Sequence, residues 1–293
     1  MTLALTILEI VAPVFILGAI GFTWVKVGIE YRITFVTQLA MTLAVPSLIF
    51  VSLMKTQIEP AALTAVTLAS VAAYAVLSAV FVALVWLGRL DRATYAAPLI
   101  FGNTGNLGLP LALFAFGEIG LDYAVVVFAV MALWSFTFGI WLVAGAGSLG
   151  KVLKEPLMWA TLLGGVFLWQ GWQTPRFLTS ALDLIGQMAI PLMLITLGVA
   201  VARLTPGGIG RAIVLSGIKL VLCVALAAAI GLWFELDKTA FGVLVLQIAT
   251  PVAVSSYMLA EKYGADAQAV AGLVVVSTVM AIGALPLLLA FLL

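Results

Sequence analysis

The sequence lacks histidine entirely and contains a single cysteine, Cys223, among its 293 residues. Histidine is the commonest general base and metal ligand of enzymes, so its absence removes most hydrolase chemistry and any zinc-based intramembrane protease. One cysteine excludes an intramolecular disulfide. We therefore expect a protein that is not an enzyme and that needs neither a cofactor nor a metal.

Charged residues are also scarce: they make up 9% of the chain against 65% hydrophobic residues, and the mean hydropathy is +1.29. A soluble domain carries about 25% charged residues. Apolar runs of about 20 residues, long enough to cross a bilayer, recur from end to end. The sequence therefore predicts an all-α polytopic protein of the lipid bilayer with ten transmembrane helices, called spans 1 to 10 here. They lie near residues 5–25, 33–54, 61–87, 93–116, 120–145, 155–173, 178–202, 209–233, 239–260 and 267–292.

The positive charges are distributed unevenly among the loops of this path. Loops 1, 3, 5, 7 and 9 hold nine of the thirteen Lys and Arg residues, and loops 2, 4, 6 and 8 hold three. The remaining one, Lys219, lies inside span 8. Because Lys and Arg concentrate in cytoplasmic loops, we expect the odd loops in the cytoplasm and both termini outside it.

The two halves of the chain, residues 1–150 and 151–293, resemble each other weakly. Pro46 in LAVPSLIF and Pro191 in MAIPLMLI are 145 residues apart. Two pairs of aspartates before corresponding spans are separated by similar distances: Asp91 with Asp237, and Asp122 with Asp266. A repeat of five spans must be inverted, because an odd number of crossings reverses the second copy, and inverted repeats are typical of transporters. The alternative is a chance match between apolar strings.

The stretch GNTGNLGLP, residues 102–110, predicts a break inside span 4. Three glycines and Pro110 within nine residues oppose a continuous helix. Span 9 carries Thr250-Pro251, which resembles a helix N-cap followed by proline at the first helical position. Two antiparallel spans broken at mid-depth would cross there. The alternative is an unbroken, glycine-rich helix that packs tightly against its neighbours.

A broken helix within a membrane is tolerated only where it is buried in protein or lines a cavity. Asn103, Thr104 and Asn106 would then satisfy freed backbone amides or face a ligand. The positive N-terminal ends of half-helices, near Pro110 and Pro251, would favour a carboxylate, and the carbonyl ends a cation. The sequence thus predicts a binding site built largely from backbone.

Several stretches together resemble the auxin efflux carrier family, of the bacterial type, over essentially the whole chain. They are ILEIVAPVFILGAIGFTWVKVGI, LAVPSLIF, GNTGNLGLPLALFAFGEIG and TPVAVSSYMLAEKYGADAQAVAGLVVVST. The resemblance implies two inverted five-helix repeats with broken, crossing spans 4 and 9, a fold related to bile-acid/sodium symporters and to NhaA-like carriers. Spans 1, 2, 6 and 7 would form a scaffold. Spans 3–5 and 8–10 would form a transport unit that moves like an elevator.

The resemblance also implies where the substrate binds and where the protein resides. Asn103, Asn106 and Pro110 become substrate-site candidates in span 4. Pro251 and its neighbours Gln247 and Thr250 become candidates in span 9; these six join Thr104 and Lys219 in the predicted site. A bacterial member would lie in the inner (plasma) membrane, as a homodimer formed through the scaffold.

Lys219 carries a charge near the middle of span 8, where it costs on the order of 2.5–3.5 kcal/mol on insertion scales. We expect it to pair with an anionic substrate or to occupy the place that a coupling cation takes in relatives of the implied fold. The alternative is a lysine that snorkels to the cytoplasmic face. Acidic pairs are absent from mid-depth, which argues against a cation/proton antiporter.

The leading hypothesis is a secondary transporter that moves a small organic anion, auxin-like or a mono- or dicarboxylate. Protons or sodium remain open as coupling ions, and a sodium-coupled organic-anion symporter of the same fold is the alternative. We expect no nucleic-acid partner. An intramembrane enzyme would need a Ser/Lys or paired-Asp site, for which only Ser216 beside Lys219 is a candidate. A receptor or purely structural role predicts no substrate flux.

Overall fold

A computed structural model describes residues 3–56, 58–144 and 156–293, and this part of the chain is helical without a β-strand. The boundary expected between the two halves, at residues 150 and 151, lies outside the described residues. In chain order the helices are α1 (Leu3–Lys26), α2 (Ile33–Lys55), α3 (Pro60–Leu87), α4 (Arg92–Ile100), α5 (Thr104–Val143), α6 (Pro156–Gln170), α7 (Arg176–Arg203), α8 (Ile209–Trp233), α9 (Lys238–Ile248), α10 (Val254–Tyr263) and α11 (Ala267–Leu292).

Seven of these helices are long and apolar enough to cross a bilayer: α1, α2, α3, α5, α7, α8 and α11. This supports the prediction of an all-α polytopic membrane protein. The run α5 is 40 residues long, about twice what one crossing needs, and it is kinked at Gly117, whose φ is 69°. The helices α4, α9 and α10 have only 9, 11 and 10 residues. The count of ten spans and the inversion of the halves stay predictions.

Aspartates begin the two short helices α4 and α9. Asp91 accepts a hydrogen bond from the Thr94 backbone N–H at 2.8 Å, and Asp237 accepts from Thr239 and Ala240, both at 2.9 Å. Such caps satisfy amides that have no partner within a helix. The aspartate pair noticed in the sequence therefore has the same local role at both positions.

The helices pack into two groups. α1 lies along the second part of α7, and α2 packs against α6 and the first part of α7. The backbones of α1 and α7 approach so closely that a Cβ on Gly198 would lie 1.8 Å from the Gly18 carbonyl oxygen. In the other group, α9 packs on α5 and α8, while α8 and α10 pack on α11. α9 runs through the interior of the protein, and its residues Gly242–Ile248 are all buried.

Candidate functional site

Both interruptions expected in spans 4 and 9 are present, and they meet. α4 ends at Ile100, and α5 begins at Thr104 with a single π-helical turn. α9 ends at Ile248, and α10 begins only at Val254. The extended segments between these helices form an antiparallel bridge at Gly102 and Val252. An unbroken glycine-rich helix, the alternative reading of this stretch, is therefore wrong.

Two backbone hydrogen bonds hold the crossing together. The Asn103 N–H donates to the Pro251 carbonyl at 2.7 Å, and the Ala253 N–H donates to the Phe101 carbonyl at 3.5 Å. Broken helices leave backbone N–H and carbonyl groups without partners. Here each segment provides a hydrogen-bond partner for backbone groups of the other. If either segment were helical, the other segment would lose these two hydrogen bonds.

The glycines of GNTGNLGLP make this close approach possible. A Cβ on Gly102 would lie 2.3 Å from Thr250 Oγ1, and a Cβ on Gly108 would lie 2.0 Å from Gln247 Oε1. On Gly105 it would lie 3.0 Å from the Phe128 ring. The stretch is therefore both broken and tightly packed. Its glycines have no side chains, and this lets the interrupted segment pass close to its neighbours.

The carbonyl end of α9 is capped by Thr250, which corrects one expectation. Thr250 Oγ1 donates to the Gln247 carbonyl at 2.6 Å, so this side chain closes the helix before the crossing. It does not cap the helix after the crossing, since Ala253 precedes the start of α10 and Pro251 lies in the extended segment. The pairing with Gly102 keeps residues 251–253 extended, and the next helix therefore begins later than Thr250-Pro251 predicts.

The carbonyl end of α4 is capped by Lys219. Its Nζ donates to the Leu99 carbonyl at 3.0 Å and lies 3.9 Å from Cys223 Sγ. The residue is only 2% exposed, so the snorkelling alternative is wrong. Lys219 lines a small void of about 20 Å³ together with Ser216, Thr250 and Ser277.

On another side of the crossing lies a cavity of about 150 Å³. The first turns of α5 and α10 form one wall, and residues of α2 and α7 form the facing wall. Among the described residues that line it, none is Asp, Glu, Lys or Arg. The lining consists of Ile33, Thr37, Met41, Gly102, Asn103, Gly105, Asn106, Phe128, Met131, Met193, Thr196, Ala200, Ala253, Val254, Ser255 and Met258.

Asn103 is the most informative of the lining residues. Its side chain is 4% exposed, and its Nδ2 has no hydrogen-bond partner in the described part of the chain. A buried donor without a partner costs about 1–3 kcal/mol, and such groups in a cavity are matched by water or by a ligand. Asn103 is therefore a lining residue whose amide still lacks a hydrogen-bond partner.

The structure brings together only part of the residues expected in the site. Asn103 and Asn106 line the cavity, and Lys219 does not. The remaining candidates are buried beside the crossing without lining the cavity: Thr104, Pro110, Gln247, Thr250 and Pro251.

Sequence reasoning missed the wall contributed by α2 and α7, and it missed Ser255 of α10. Thr37 and Thr196 are its polar members, and no pattern in their own spans distinguishes them. Thr196 Oγ1 lies 2.7 Å from the Tyr31 hydroxyl, whose pKa is raised by burial in the loop between α1 and α2. Ser255 could have been found, because it follows TPVAV in the segment already assigned to the site.

The four helix ends at the crossing produce a polar asymmetry. An N-terminal helix end carries about +0.5 elementary charge and a C-terminal end about −0.5. The two N-terminal ends, of α5 and α10, face the cavity, while the carbonyl ends of α4 and α9 are capped by Lys219 and Thr250. Two partially positive helix ends thus lie at a cavity whose described lining has no charged side chain.

Comparison with known proteins identifies the family of the chain. The sequence profile of the membrane transport protein family, which is the auxin efflux carrier family, matches residues 6–150 and 146–289. The chain belongs to this family and is a membrane transport protein.

Two archaeal relatives have been named as uncharacterized transporters. One, from Methanothermobacter thermautotrophicus, is 27% identical over 295 aligned positions, covering 95% of this chain and 96% of the relative. The other, from Methanocaldococcus jannaschii, is 25% identical over 192 positions, covering 61% of each chain.

Proposed function

We propose that the protein is a secondary transporter for a small organic anion, auxin-like or a mono- or dicarboxylate, which binds in the cavity at the crossing. The observation that carries this proposal is the arrangement of helix ends. Both positive ends lie at the cavity, Asn103 with its unpartnered Nδ2 is part of the lining, and both negative ends are capped elsewhere. Transporters bind anionic substrate groups at such N-terminal half-helix ends.

The remaining lining indicates what accompanies the anionic group. Phe128, Met131, Met193 and Met258 surround the cavity with apolar, adaptable side chains, and methionine fits ligands of varied shape. A volume of about 150 Å³ is below the roughly 300–1,000 Å³ of pockets that hold drug-sized ligands. These features favour a small carboxylate with a short apolar body.

The position of the cavity supports movement of one helix group against the other. We take α1, α2, α6 and α7 as a scaffold, and α3–α5 with α8–α11 as a transport unit in an elevator-like cycle. The cavity lies between α2 and α7 on one side and α5 and α10 on the other. A substrate held there would touch both units and would be carried by the second.

The full proposal keeps the architecture expected from the sequence. Ten crossings would place both termini outside the cytoplasm of a bacterial inner membrane, with two inverted repeats and a homodimer formed through the scaffold. The kink at Gly117 supports division of α5 into two crossings. The aspartate caps shared by α4 and α9 support a repeat.

The binding proposal is tested with the purified protein and a panel of carboxylates. A ligand that binds only the folded state raises the unfolding temperature. We expect one or more small carboxylates to do so, and radiolabelled forms of these to enter proteoliposomes. Stabilisation by amines or inorganic cations, with none by carboxylates, would contradict an anion site.

The elevator motion is tested where α5 contacts α2 away from the cavity. The Ser52 hydroxyl donates a hydrogen bond to the Asp122 carboxylate. Ser52 is 15 residues beyond Thr37 of the cavity wall, about 22 Å along α2. In the Ser52→Cys/Asp122→Cys variant, oxidation to the disulfide should abolish transport, and reduction of the disulfide should restore it. The single variants are the controls, and undiminished flux in the cross-linked protein would rule out relative movement here.

A further inference from the structure

Lys219 holds a position that the anion site does not use. Its Nζ reaches across from α8 to the Leu99 carbonyl at 3.0 Å, in the last turn of α4. The side chain is 2% exposed, and no Asp or Glu of the described chain forms an ion pair with it. The negative end of the helix dipole is the partner that this buried amine contacts.

The surroundings of Lys219 contain further oxygen atoms. Ser216 lies one turn earlier on α8, is 3% exposed, and its Oγ has no partner among the described residues. Thr250 and Ser277 line the same small void. Carbonyl and hydroxyl oxygens at the C-terminal end of a broken helix are the groups with which transporters hold sodium or protons.

We infer that Lys219 is a tethered cation that occupies the position where a mobile coupling cation would otherwise bind, so that this carrier operates without sodium. The inference rests on the proposed anion transport and specifies its coupling. Lys219 acts here as a positioning residue. It neutralises the carbonyl end of α4 and leaves the two N-terminal ends to act on the anion.

The geometry explains why a tethered cation would suffice. Lys219 binds α4 from α8, and both helices belong to the proposed transport unit, so the charge would move with the site. The void beside it measures only about 20 Å³, which is room for about one water molecule. A hydrated metal ion therefore has no room while the lysine is in place.

The test measures the unfolding temperature of the purified protein in sodium chloride and in choline chloride at equal ionic strength, with no carboxylate present. We expect wild-type protein to unfold at the same temperature in both salts. Lys219→Met should lower the unfolding temperature by about 5 °C or more, because the Leu99 carbonyl loses its buried donor. Lys219→Arg should keep most of the stability.

Lys219→Ala tests the cation directly, because it leaves a space that n-propylammonium or sodium can fill. We expect either cation to restore part of the lost stability, and n-propanol, which is similar in size but neutral, to restore none. Lys238→Met is the matched control, since Lys238 also donates to a backbone carbonyl, that of Leu293 at 2.7 Å, but at an exposed position.

Two results would overturn the inference: sodium-specific stabilisation of the wild-type protein, or a Lys219→Met variant as stable as wild type. If Lys219→Ala fails to fold, the wild-type salt comparison and Lys219→Met still decide. Failure of the carboxylate screen alone would remove the proposed substrate and leave these measurements intact.

Discussion

The two helix interruptions solve the same backbone problem with different chemistry. After α9 the carbonyl end is closed locally, by the Thr250 hydroxyl three residues beyond Gln247. After α4 it is closed from a distance, by Lys219, which is 120 residues from Leu99 in sequence. A local cap needs only its own segment, whereas the distant cap requires α4 and α8 to be packed together first.

The helices that follow the interruptions also differ. α5 begins with a π-helical turn at Thr104, directly after Asn103. α10 begins at Val254, and five residues separate it from the end of α9. The first interruption therefore places the amides Asn103 and Asn106 next to the cavity, while the second contributes mostly backbone and Ser255. Both interruptions thus bring a helix N-terminus to the cavity, and the first alone adds side-chain amides to the described lining.

Gly102→Ala should have the largest effect, because it separates the two interruptions. The new Cβ would lie 2.3 Å from Thr250 Oγ1 and 3.0 Å from the Thr250 carbonyl oxygen. Overpacking of this kind destabilises by about 1–3 kcal/mol, and we expect the upper end, measured by thermal or denaturant unfolding. Gly283→Ala in α11 is the control, since nothing lies within 4 Å of its Cβ position. Equal effects in both variants would contradict the crossing.

Thr250→Val should destabilise the protein by about 1.5 kcal/mol, because the buried Gln247 carbonyl loses its hydroxyl donor and keeps only the longer bond from the Thr250 N–H at 3.3 Å. Thr64→Val is the control, since Thr64 Oγ1 donates to the Pro60 carbonyl at 2.7 Å on an exposed face. We expect the control to change unfolding stability by less than about 0.5 kcal/mol. A harmless Thr250→Val would mean that the local cap is unimportant and that the two interruptions differ less than described.

Asn103→Ala should weaken carboxylate binding about tenfold, or about 1.4 kcal/mol, by removing a side-chain amide from the cavity lining. The unfolding temperature without ligand should change little, because Nδ2 has no protein partner to lose. Gln187→Ala, which removes an exposed amide, should leave binding unchanged. Binding of wild-type strength in Asn103→Ala would place the anion elsewhere.

Pro110→Ala should have the smallest effect. Pro110 lies after the π-helical turn, and the interruption is already complete at Gly102, where the chain pairs with Val252. We expect unfolding stability to change by less than about 0.5 kcal/mol and carboxylate binding to persist. A large loss of binding would show that the proline itself shapes the site.

Much of the fold could be read from composition and spacing. Apolar runs predicted the membrane helices, because only a helix satisfies its own backbone in hydrocarbon. Clustered glycines predicted the interruption after α4, and Thr250-Pro251 indicated that the second interruption lies near residue 250. The N-cap role given to Thr250 was wrong, because local sequence shows a hydroxyl beside a proline and not which helix end it will meet.

The site was predicted only in its backbone and in Asn103 and Asn106. The facing wall includes Thr37, Met41, Met193 and Thr196. It comes from helices whose sequences resemble any other apolar span. Three roles were open for Lys219, and only its burial against α4 excludes the snorkelling one. A side chain in the middle of an apolar helix has no sequence neighbour that reveals its partner.

Taken alone, the sequence determined the class of protein, the position of the first interruption and the need for a polar site there. These follow from the cost of burying backbone and charge in hydrocarbon, which depends on residue type and order. Tertiary structure decided which helix ends face the cavity, which helix ends are capped, and which residue caps each of them. Apart from the local Thr250 cap, those relations join residues more than 100 positions apart, and they arise only when the helices pack together.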